Sequence, residues 1–175
     1  VDSSNHKIRK LLIASGTVST FAGSGVAGEA NGIGIAASFN GPHDISISSS
    51  GDFAISACYT GHRIRRIEIS TAAVTTIGGD GTSGAVDGVG TNSRYNGPVG
   101  VCLTPDDSTA LVMDFGNHKI RRMNLSSLVV TTVAGSGSAG GTNGVGVVAT
   151  FSNPHYCAVS SDDGFLIISE RNGNR

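Results

Sequence analysis

The stretch Asn5-His6-Lys7-Ile8-Arg9-Lys10-Leu11 returns twice along the chain. Its copies are Gly61-His62-Arg63-Ile64-Arg65-Arg66-Ile67 and Asn117-His118-Lys119-Ile120-Arg121-Arg122-Met123. The three histidines follow one another at intervals of 56 residues. A period of this size is typical of repeat proteins, in which each unit buries its apolar face against its neighbours. The sequence therefore predicts a row of equivalent units.

Composition supports short strands joined by tight turns. The 175 residues include 26 glycines, which supply the positive φ angles that turns require. The net charge is −1, so the overall balance gives no reason to expect nucleic acid or acidic lipid as a partner. No apolar run approaches the roughly 20 residues of a membrane span. We therefore expect no membrane insertion.

Each unit reads as four short strands and one glycine-rich connection. His43–Ser49, for example, alternates Ile45 and Ile47 with polar neighbours, as a half-buried strand does. The connection recurs at residues 23–34, 79–90 and 135–146. A parallel β-helix is the competing architecture, but its coils are shorter and lack one long loop per four strands. The pattern predicts an all-β fold of propeller blades, each with four strands, in a 56-residue repeat.

The phase of the repeat divides the chain. Residues 1–23 are interpreted as the end of a blade, 24–79 and 80–135 as repeats, and 136–175 as the start of a further blade. The whole chain then belongs to one β-propeller. We expect the remaining blades of the same propeller to pack against it, because incomplete blades leave apolar faces in water.

Two motifs resemble those of the NHL-repeat family of β-propellers. One is Phe39-Asn40-Gly41-Pro42 before the first strand of a unit. The other lies before the third strand and consists of an acidic residue followed, three positions later, by Asn-His-(Lys/Arg)-Ile-Arg. It occurs as Asp2 with Asn5–Arg9 and as Asp114 with Asn117–Arg121. The Ala-Gly-x-Gly connection resembles the subclass found in bacterial and large extracellular members. The resemblance covers the whole chain and implies blades around a central axis, each with its first strand innermost.

The middle unit departs from this pattern. Cys58 replaces the acidic residue found at Asp2, Asp114 and Glu170, and Gly61 replaces the asparagine. We expect the corner of this unit to be held together less tightly.

Residues that share a repeat phase are interpreted as structural. Each corner histidine is expected to hydrogen-bond across the turn between the second and third strands, with the acid four positions earlier as partner. The aromatic residues are expected to be buried between neighbouring blades. The full set comprises Asn5, His6, His62, Asn117 and His118 at the corners, Pro42, Pro98 and Pro154 before the first strands, and the aromatics Phe39, Tyr95 and Phe151.

His43 and His155 are weak candidates for a metal. They lie at the start of the innermost strands. The family that the chain resembles includes lyases that hold zinc on channel histidines. Val99 stands at the equivalent position of the intervening blade, and no third ligand can be named. A metal-dependent lyase or hydrolase at the channel mouth is thus an alternative only, and no cofactor is expected.

The third strands concentrate positive charge. RNA binding along this basic stripe is a second alternative. The preferred interpretation is that these side chains line the solvent side of an outer strand, since the stripe lacks stacking aromatics; nucleic acid is therefore not expected. The stripe comprises Lys7, Arg9, Lys10, Arg63, Arg65, Arg66, Lys119, Arg121 and Arg122.

The three cysteines form no metal-like spacing. Cys102 and Cys157 differ by one residue in repeat phase, and adjacent positions of a strand point to opposite faces. We therefore expect no bridge between them, and expect buried thiols at all three positions, including Cys58.

These observations favour a non-catalytic binding or scaffold module of a larger NHL-repeat protein, which makes protein–protein or self-assembly contacts. No Ser-His-Asp set, nucleophile elbow, phosphate-binding loop or carboxylate pair can be placed, so we expect no enzyme. An extracellular or cell-surface location is predicted from the resemblance, the Ser/Thr/Gly-rich composition and a glycan acceptor. That acceptor, Asn124-Leu125-Ser126, also predicts a glycoprotein.

Overall fold

The computed structural model describes residues 1–172 of the chain. They form fourteen β-strands in four antiparallel sheets, with short 3-10 turns between them. The strands are β1 (Ile8–Leu12), β2 (Thr17–Ala22), β3 (Gly32–Ile33), β4 (Pro42–Ile47), β5 (Phe53–Cys58), β6 (Arg63–Glu68), β7 (Ala73–Gly78), β8 (Gly88–Val89), β9 (Pro98–Leu103), β10 (Thr109–Asp114), β11 (Lys119–Asn124), β12 (Val129–Ala134), β13 (Pro154–Val159) and β14 (Leu166–Glu170).

Two sheets are complete blades. One runs in the order β4-β5-β6-β7 and the other in the order β9-β10-β11-β12. The hairpins β1–β2 and β13–β14 lie on either side of them. This arrangement confirms the predicted all-β propeller segment with its 56-residue repeat.

Each complete blade also carries a fifth strand that the sequence did not predict. The two-residue strands β3 and β8, both from the glycine-rich connection, pair with the outer edges of β7 and β12. Gly34 extends this contact, since its N–H donates to the carbonyl of Ala72. The connection thus covers a strand edge whose N–H and C=O groups would otherwise lack partners.

The first strands of successive blades, here called the inner strands, lie side by side. Strands β4 and β13 both pack against β9. Two side chains of β4 bind backbone N–H groups of β9: the Asp44 carboxylate accepts from Val101 at 3.0 Å, and the Ser46 hydroxyl accepts from Leu103 at 3.3 Å. Side chains on this face of an inner strand therefore reach the next blade.

The aromatic residues of equivalent phase lie between blades, but they are not equally buried. Phe39 and Tyr95 have no exposed surface, whereas Phe151 is only partly buried. Ile67 and Val74, from β6 and β7, cover the Phe39 ring. Among the described residues, no strand after β14 covers the Phe151 ring in the way that β6 and β7 cover Phe39.

Cys102 and Cys157 form a disulfide, so the expectation of two free thiols was wrong. Their Cα atoms lie 6.1 Å apart, a normal spacing for a bridge. The opposite orientation of the two side chains is what the bridge requires. One face of each inner strand packs against the opposite face of the next inner strand. Residues one position apart in the repeat therefore face each other across the blade boundary.

Cys58 is the remaining cysteine, and it is fully buried as a free thiol. Burial, reinforced by the nearby Glu29 carboxylate, raises its pKa to about 12. Because the thiolate is the reactive species, this side chain is chemically inert in the folded protein. No helix in residues 1–172 has the length and apolarity needed to cross a bilayer.

We predict that the folded, oxidised protein contains no thiol that reacts with an aromatic disulfide reagent. Unfolding in denaturant without reductant should release one thiol per chain, from Cys58. Reduction before unfolding should release three. Reaction of two or more thiols in the folded, unreduced protein would contradict the assignment.

Candidate functional site

The corner histidines join one blade to the next. His62 follows β5 with a left-handed backbone, φ +52°. Its Nδ1 accepts the backbone N–H of Gly97 at 2.9 Å, 35 residues further along the chain. His6 and His118 accept in the same way from Gly41 and Asn153, at 3.2 and 3.1 Å.

The predicted partner of these histidines, the acid four residues earlier, was wrong. The oxygens of Asp114 bind the Asn96 N–H, the Asn117 amide and Arg121 instead. The positive φ of the histidine turns its ring away from its own corner and towards the entry of the next blade. The entry is shaped by Pro42, Pro98 and Pro154, which are buried at the first positions of β4, β9 and β13.

The corner asparagines, in contrast, bind the acid of their own turn, and Asn117 also reaches the glycine-rich connection. The amide of Asn117 donates to Asp114 at 2.8 Å and to the Gly84 carbonyl of the connection at 2.7 Å. The amide of Asn5 donates to Asp2 at 2.9 Å.

Arg121 lies in a fully buried position that we call an arginine seat. It is formed by the Asp114 carboxylate, the side chain of Asp87, the carbonyls of Val86 and Arg94, and the ring of Tyr95. The four hydrogen bonds of the guanidinium measure 2.7 to 3.0 Å, and its carbon lies 5.2 Å from the ring centroid. The side chains of Arg121 and Asp114 have no exposed surface. Burial raises the pKa of Asp114, while Asn117, the Asn96 N–H and Arg121 act in the opposite direction.

Arg65 occupies an equivalent seat in the preceding blade. Its guanidinium binds the carbonyls of Ser38 and Ala30 and the side-chain oxygen of Asn31, at 3.0, 3.0 and 3.2 Å. Its guanidinium carbon lies 5.3 Å from the centroid of the Phe39 ring. Both arginines therefore tie the glycine-rich connection to the third strand.

The interpretation of the third strand as a solvent-facing basic stripe was wrong for these two residues. Arg65 and Arg121 are buried, and Arg63 donates to the Asp80 carbonyl at 2.8 Å. Arg66 pairs with Glu68 and lies 3.8 Å from the centroid of the Phe53 ring. Much of the charge on this strand is thus engaged inside the protein, which weakens the RNA alternative as well.

The middle blade obtains its carboxylate from a different position. Cys58 stands where Asp114 lies in the next blade, and Glu29 of the connection supplies the missing charge to Arg65 at 2.9 Å. A side chain at Gly61 would collide with the Glu29 carboxylate, so glycine is needed there. Burial raises the pKa of Glu29, and Arg65 and Arg63 oppose that shift. Cys58, Gly61 and Glu29 therefore compensate for one another, and the corner is not held more loosely as we expected.

Five aromatic and imidazole side chains meet where the sequence predicts the channel mouth. His43 and His155 lie together, with ring centroids 5.2 Å apart, and Tyr156 lies 4.3 Å from His155. Tyr59 and Phe115 complete the group, which we call the channel-mouth cluster, with centroids 6.1 Å apart. Tyr59 and Tyr156 are 43% and 48% exposed, so the cluster presents an open rim to solvent.

The sequence pointed to the two histidines but missed the rest of the cluster. Tyr59 and Phe115 share one repeat phase, immediately after the second strand, and that coincidence was the available signal. Gly100 lets the inner strands approach, because a side chain there would collide with the His155 carbonyl. The convergence of strands two blades apart is not visible in the sequence.

The His155 imidazole of the cluster is uncharged near neutral pH. Burial lowers the pKa of His155, and the neighbouring His43 and Arg171 lower it further. The Nδ1 atom of His43 is buried and has no hydrogen-bond partner within residues 1–172. Tyr156 also lines a cavity of about 490 Å³, together with Asp44, Ser46 and the Cys102–Cys157 bridge, among others.

The two histidines do not form a metal centre on their own. Within residues 1–172 no group of three or more His, Cys, Asp or Glu side chains is placed to hold a metal ion. The chemistry that the cluster offers is stacking on aromatic faces, with hydrogen bonds from two tyrosine hydroxyls and two imidazoles.

We predict that Glu29→Gln destabilises the protein by about 3 kcal/mol, because it leaves the buried Arg65 without a carboxylate. The triple variant Glu29→Ala, Cys58→Asp, Gly61→Asn copies the corner of the next blade and should recover most of that loss. Denaturant unfolding measures both. Glu68→Gln, which breaks the more exposed Arg66 pair, is the control and should cost less than about 1 kcal/mol. Equal losses of unfolding free energy for Glu29→Gln and Glu68→Gln would contradict the role of Glu29 in holding Arg65.

Comparison with known proteins supports the repeat family. No family model matches the chain. NHL repeat-containing protein 2 of Gallus gallus is 34% identical over 99 residues, which cover 57% of this chain and 13% of that protein. Protein SUPPRESSOR OF QUENCHING 1, chloroplastic, of Arabidopsis thaliana is 29% identical over 178 residues, 97% of this chain and 17% of that protein. The chain thus spans less than a fifth of either relative.

Solved structures share the fold at lower identity. An auxiliary nutrient binding protein of Bacteroides thetaiotaomicron superposes with a TM-score of 0.75 at 20% identity, over 97% of this chain and 41% of that one. Together, the 56-residue repeat, the propeller blades and the similarity to NHL repeat-containing proteins support an NHL-type β-propeller segment.

Proposed function

We propose that the chain is a non-catalytic binding or scaffold module of a larger, extracellular NHL-repeat protein, and that it makes protein–protein or self-assembly contacts. The observation that carries the proposal is the channel-mouth cluster, where Tyr59 and Tyr156 are about half exposed beside two imidazoles. Exposed tyrosines on a rigid support supply large contact area at low entropic cost and are enriched at the energetic centres of interfaces.

The chemistry of the cluster favours binding over catalysis. Burial lowers the pKa of His155, and the Nδ1 atom of His43 has no hydrogen-bond partner within residues 1–172. The structural neighbour named as an auxiliary nutrient binding protein supports the use of a similar propeller for binding. Because the cluster consists of aromatic rings and imidazoles, the partner surface that fits is aromatic and polar rather than strongly ionic.

Two features support the extracellular location. The Cys102–Cys157 disulfide joins two blades, and stable disulfides are typical of oxidising compartments. The glycan acceptor Asn124 lies at the end of β11, where its side-chain oxygen accepts hydrogen bonds from Ser126 and Ser127. Its Nδ2, the atom that a glycan would modify, makes no hydrogen bond within residues 1–172.

Site-specific photo-crosslinking tests the binding face. We predict that a benzophenone amino acid at position 59 or 156 captures protein from the extracellular fraction of the native source. The same group at Val129 of β12, which is 40% exposed, serves as the matched control and should capture none. Adducts confined to position 129, or absent from all three positions, would overturn the proposal. Adducts that nuclease removes would favour the RNA alternative instead.

We further predict that Asn124 carries an N-linked glycan when the protein is secreted by a eukaryotic source. Mass spectrometry of the native protein should show a mass at the peptide containing Asn124 that an amidase removes. Asn124→Gln provides the control for the mass shift. An unmodified Asn124 in secreted eukaryotic material would remove one support for the extracellular location.

A further inference from the structure

We propose that the Cys102–Cys157 disulfide is a redox switch for the channel-mouth cluster. The oxidised bridge holds the cluster together, and reduction by a dithiol releases β13 from β9 and separates the His155 side of the cluster from the His43 side. This regulation acts on the binding face and so rests on the proposed function, although the movement of β13 is measurable without any partner. Two blade boundaries built from equivalent repeat positions differ in the way that the switch requires.

The boundary between β4 and β9 is held by hydrogen bonds. The Asp44 carboxylate accepts from the Val101 N–H at 3.0 Å, and the Ser46 hydroxyl oxygen accepts from the Leu103 N–H at 3.3 Å. Both acceptors lie on β4, and both donors are backbone groups of β9. Bonds of this kind do not respond to thiols, so this boundary is the same in oxidising and reducing conditions.

The boundary between β9 and β13 lacks both of those acceptors. Gly100 stands at the repeat position of Asp44, and Cys102 stands at that of Ser46. Within residues 1–172, no hydrogen bond joins β9 to β13, and the bridge from Cys102 to Cys157 is the bond that connects them. A redox-sensitive link therefore replaces two redox-insensitive ones at this boundary.

The two boundaries support opposite sides of the channel-mouth cluster. His43 and Tyr59 belong to the blade that contains β4, whereas His155 and Tyr156 directly precede Cys157 on β13. His43 and His155 thus meet across β9, with ring centroids 5.2 Å apart. The hydrogen bonds of β4 hold one imidazole in place, and the disulfide holds the other.

The entry of β13 has an anchor that does not depend on the bridge. The Asn153 N–H donates to Nδ1 of His118 at 3.1 Å, and the Asn153 amide donates to the Phe115 carbonyl at 3.1 Å. Reduction leaves both bonds intact. Strand β13 therefore stays attached at its first residues and becomes free to move away from β9 at Cys157.

The bridge is accessible to a reductant. Cys157 is partly exposed, and both cysteines line the cavity of about 490 Å³. Tyr156 lines the same cavity, so a reductant that enters it reaches the bridge beside the cluster. Access of this kind is one of the factors that set the rate of thiol–disulfide exchange.

The reaction is a thiol–disulfide exchange with a dithiol as the reductant. A thiolate of the dithiol attacks the sulfur of Cys157, the more exposed of the two, and the S–S bond breaks to leave the sulfur of Cys102 as a thiolate, which takes up a proton. The second thiol of the reductant then displaces Cys157 from the mixed disulfide. The bridge gains two electrons and two protons, and the dithiol leaves as a cyclic disulfide.

A dithiol fits this reaction better than a monothiol. In the mixed disulfide, the Cys102 thiol stays close to Cys157 because the anchored entry of β13 keeps the two strands near each other. The protein therefore expels a monothiol and closes the bridge again. The second thiol of a dithiol is tethered equally close and competes with this reclosure.

Hydrogen exchange of the full chain tests the switch. Dithiothreitol, at a concentration that releases two reactive thiols per folded chain, should speed exchange of amides in residues 157–170 at least about tenfold. Strands β5, β6, β10 and β11 should keep their protection, which also shows that the reduced chain is folded. The matched control is the double variant Cys102→Ser, Cys157→Val, which copies the Ser46 and Val101 pair of the preceding boundary. Its exchange should not respond to dithiothreitol.

Three outcomes would overturn the switch or its reductant. Unchanged exchange in residues 157–170 after release of two thiols would show that the bridge does not control β13. Faster exchange throughout both complete blades would make the bridge a general support of the fold rather than a switch. Equal reduction by glutathione at the same thiol concentration would overturn the choice of a dithiol.

Photo-crosslinking separates the switch from the binding function. The double variant Cys102→Ala, Cys157→Ala represents the open form without added reductant, and a benzophenone group at position 59 should capture partner protein in the bridged chain and not in this variant. Equal capture by both chains would leave the binding face standing and overturn its regulation. Capture by neither chain would overturn the proposed function, and hydrogen exchange would still decide whether the bridge controls β13.

Discussion

The structure depends on a guanidinium buried among carbonyl oxygens. Glycine-rich connections have few side chains with which to hold themselves in place, and their buried carbonyls need donors. Arg65 and Arg121 meet that need from the third strand of the same blade, each with bonds to two carbonyls, a carboxylate and a side-chain oxygen. The positive charge that resembles a surface stripe in the sequence is therefore a structural element. Its carboxylate can come from either of two positions, as Asp114 and Glu29 demonstrate.

Contacts between blades are made by different groups. The corner histidines accept from the entry of the next blade, Asp44 and Ser46 bind the backbone of β9, and the Cys102–Cys157 bridge joins β9 to β13. Each of these contacts joins residues some 35 to 57 positions apart, so the units depend on one another. A unit of this kind cannot bury its apolar face alone. The partial burial of Phe151, compared with the full burial of Phe39 and Tyr95, is consistent with that dependence.

The same corners that hold the blades together also bring Tyr59 and Phe115 to the channel mouth. The function that we propose therefore uses side chains on turns whose backbone is fixed by the inner strands and the histidine contacts. Aromatic groups on such a support bind without much loss of conformational freedom. The neutral character of His155 keeps this surface suited to polar and aromatic partners.

The sequence by itself determined the all-β class, the 56-residue repeat and the strand order, because strand alternation and turn residues are local properties that every unit repeats. It also singled out His43 and His155. Only the tertiary structure decided what lies across a blade boundary: the disulfide, the histidine partners, the burial of Arg65 and Arg121, and the channel-mouth cluster. The physical reason is that these contacts depend on which faces of neighbouring sheets meet, and on how closely the inner strands approach. Repeat phase alone specifies neither.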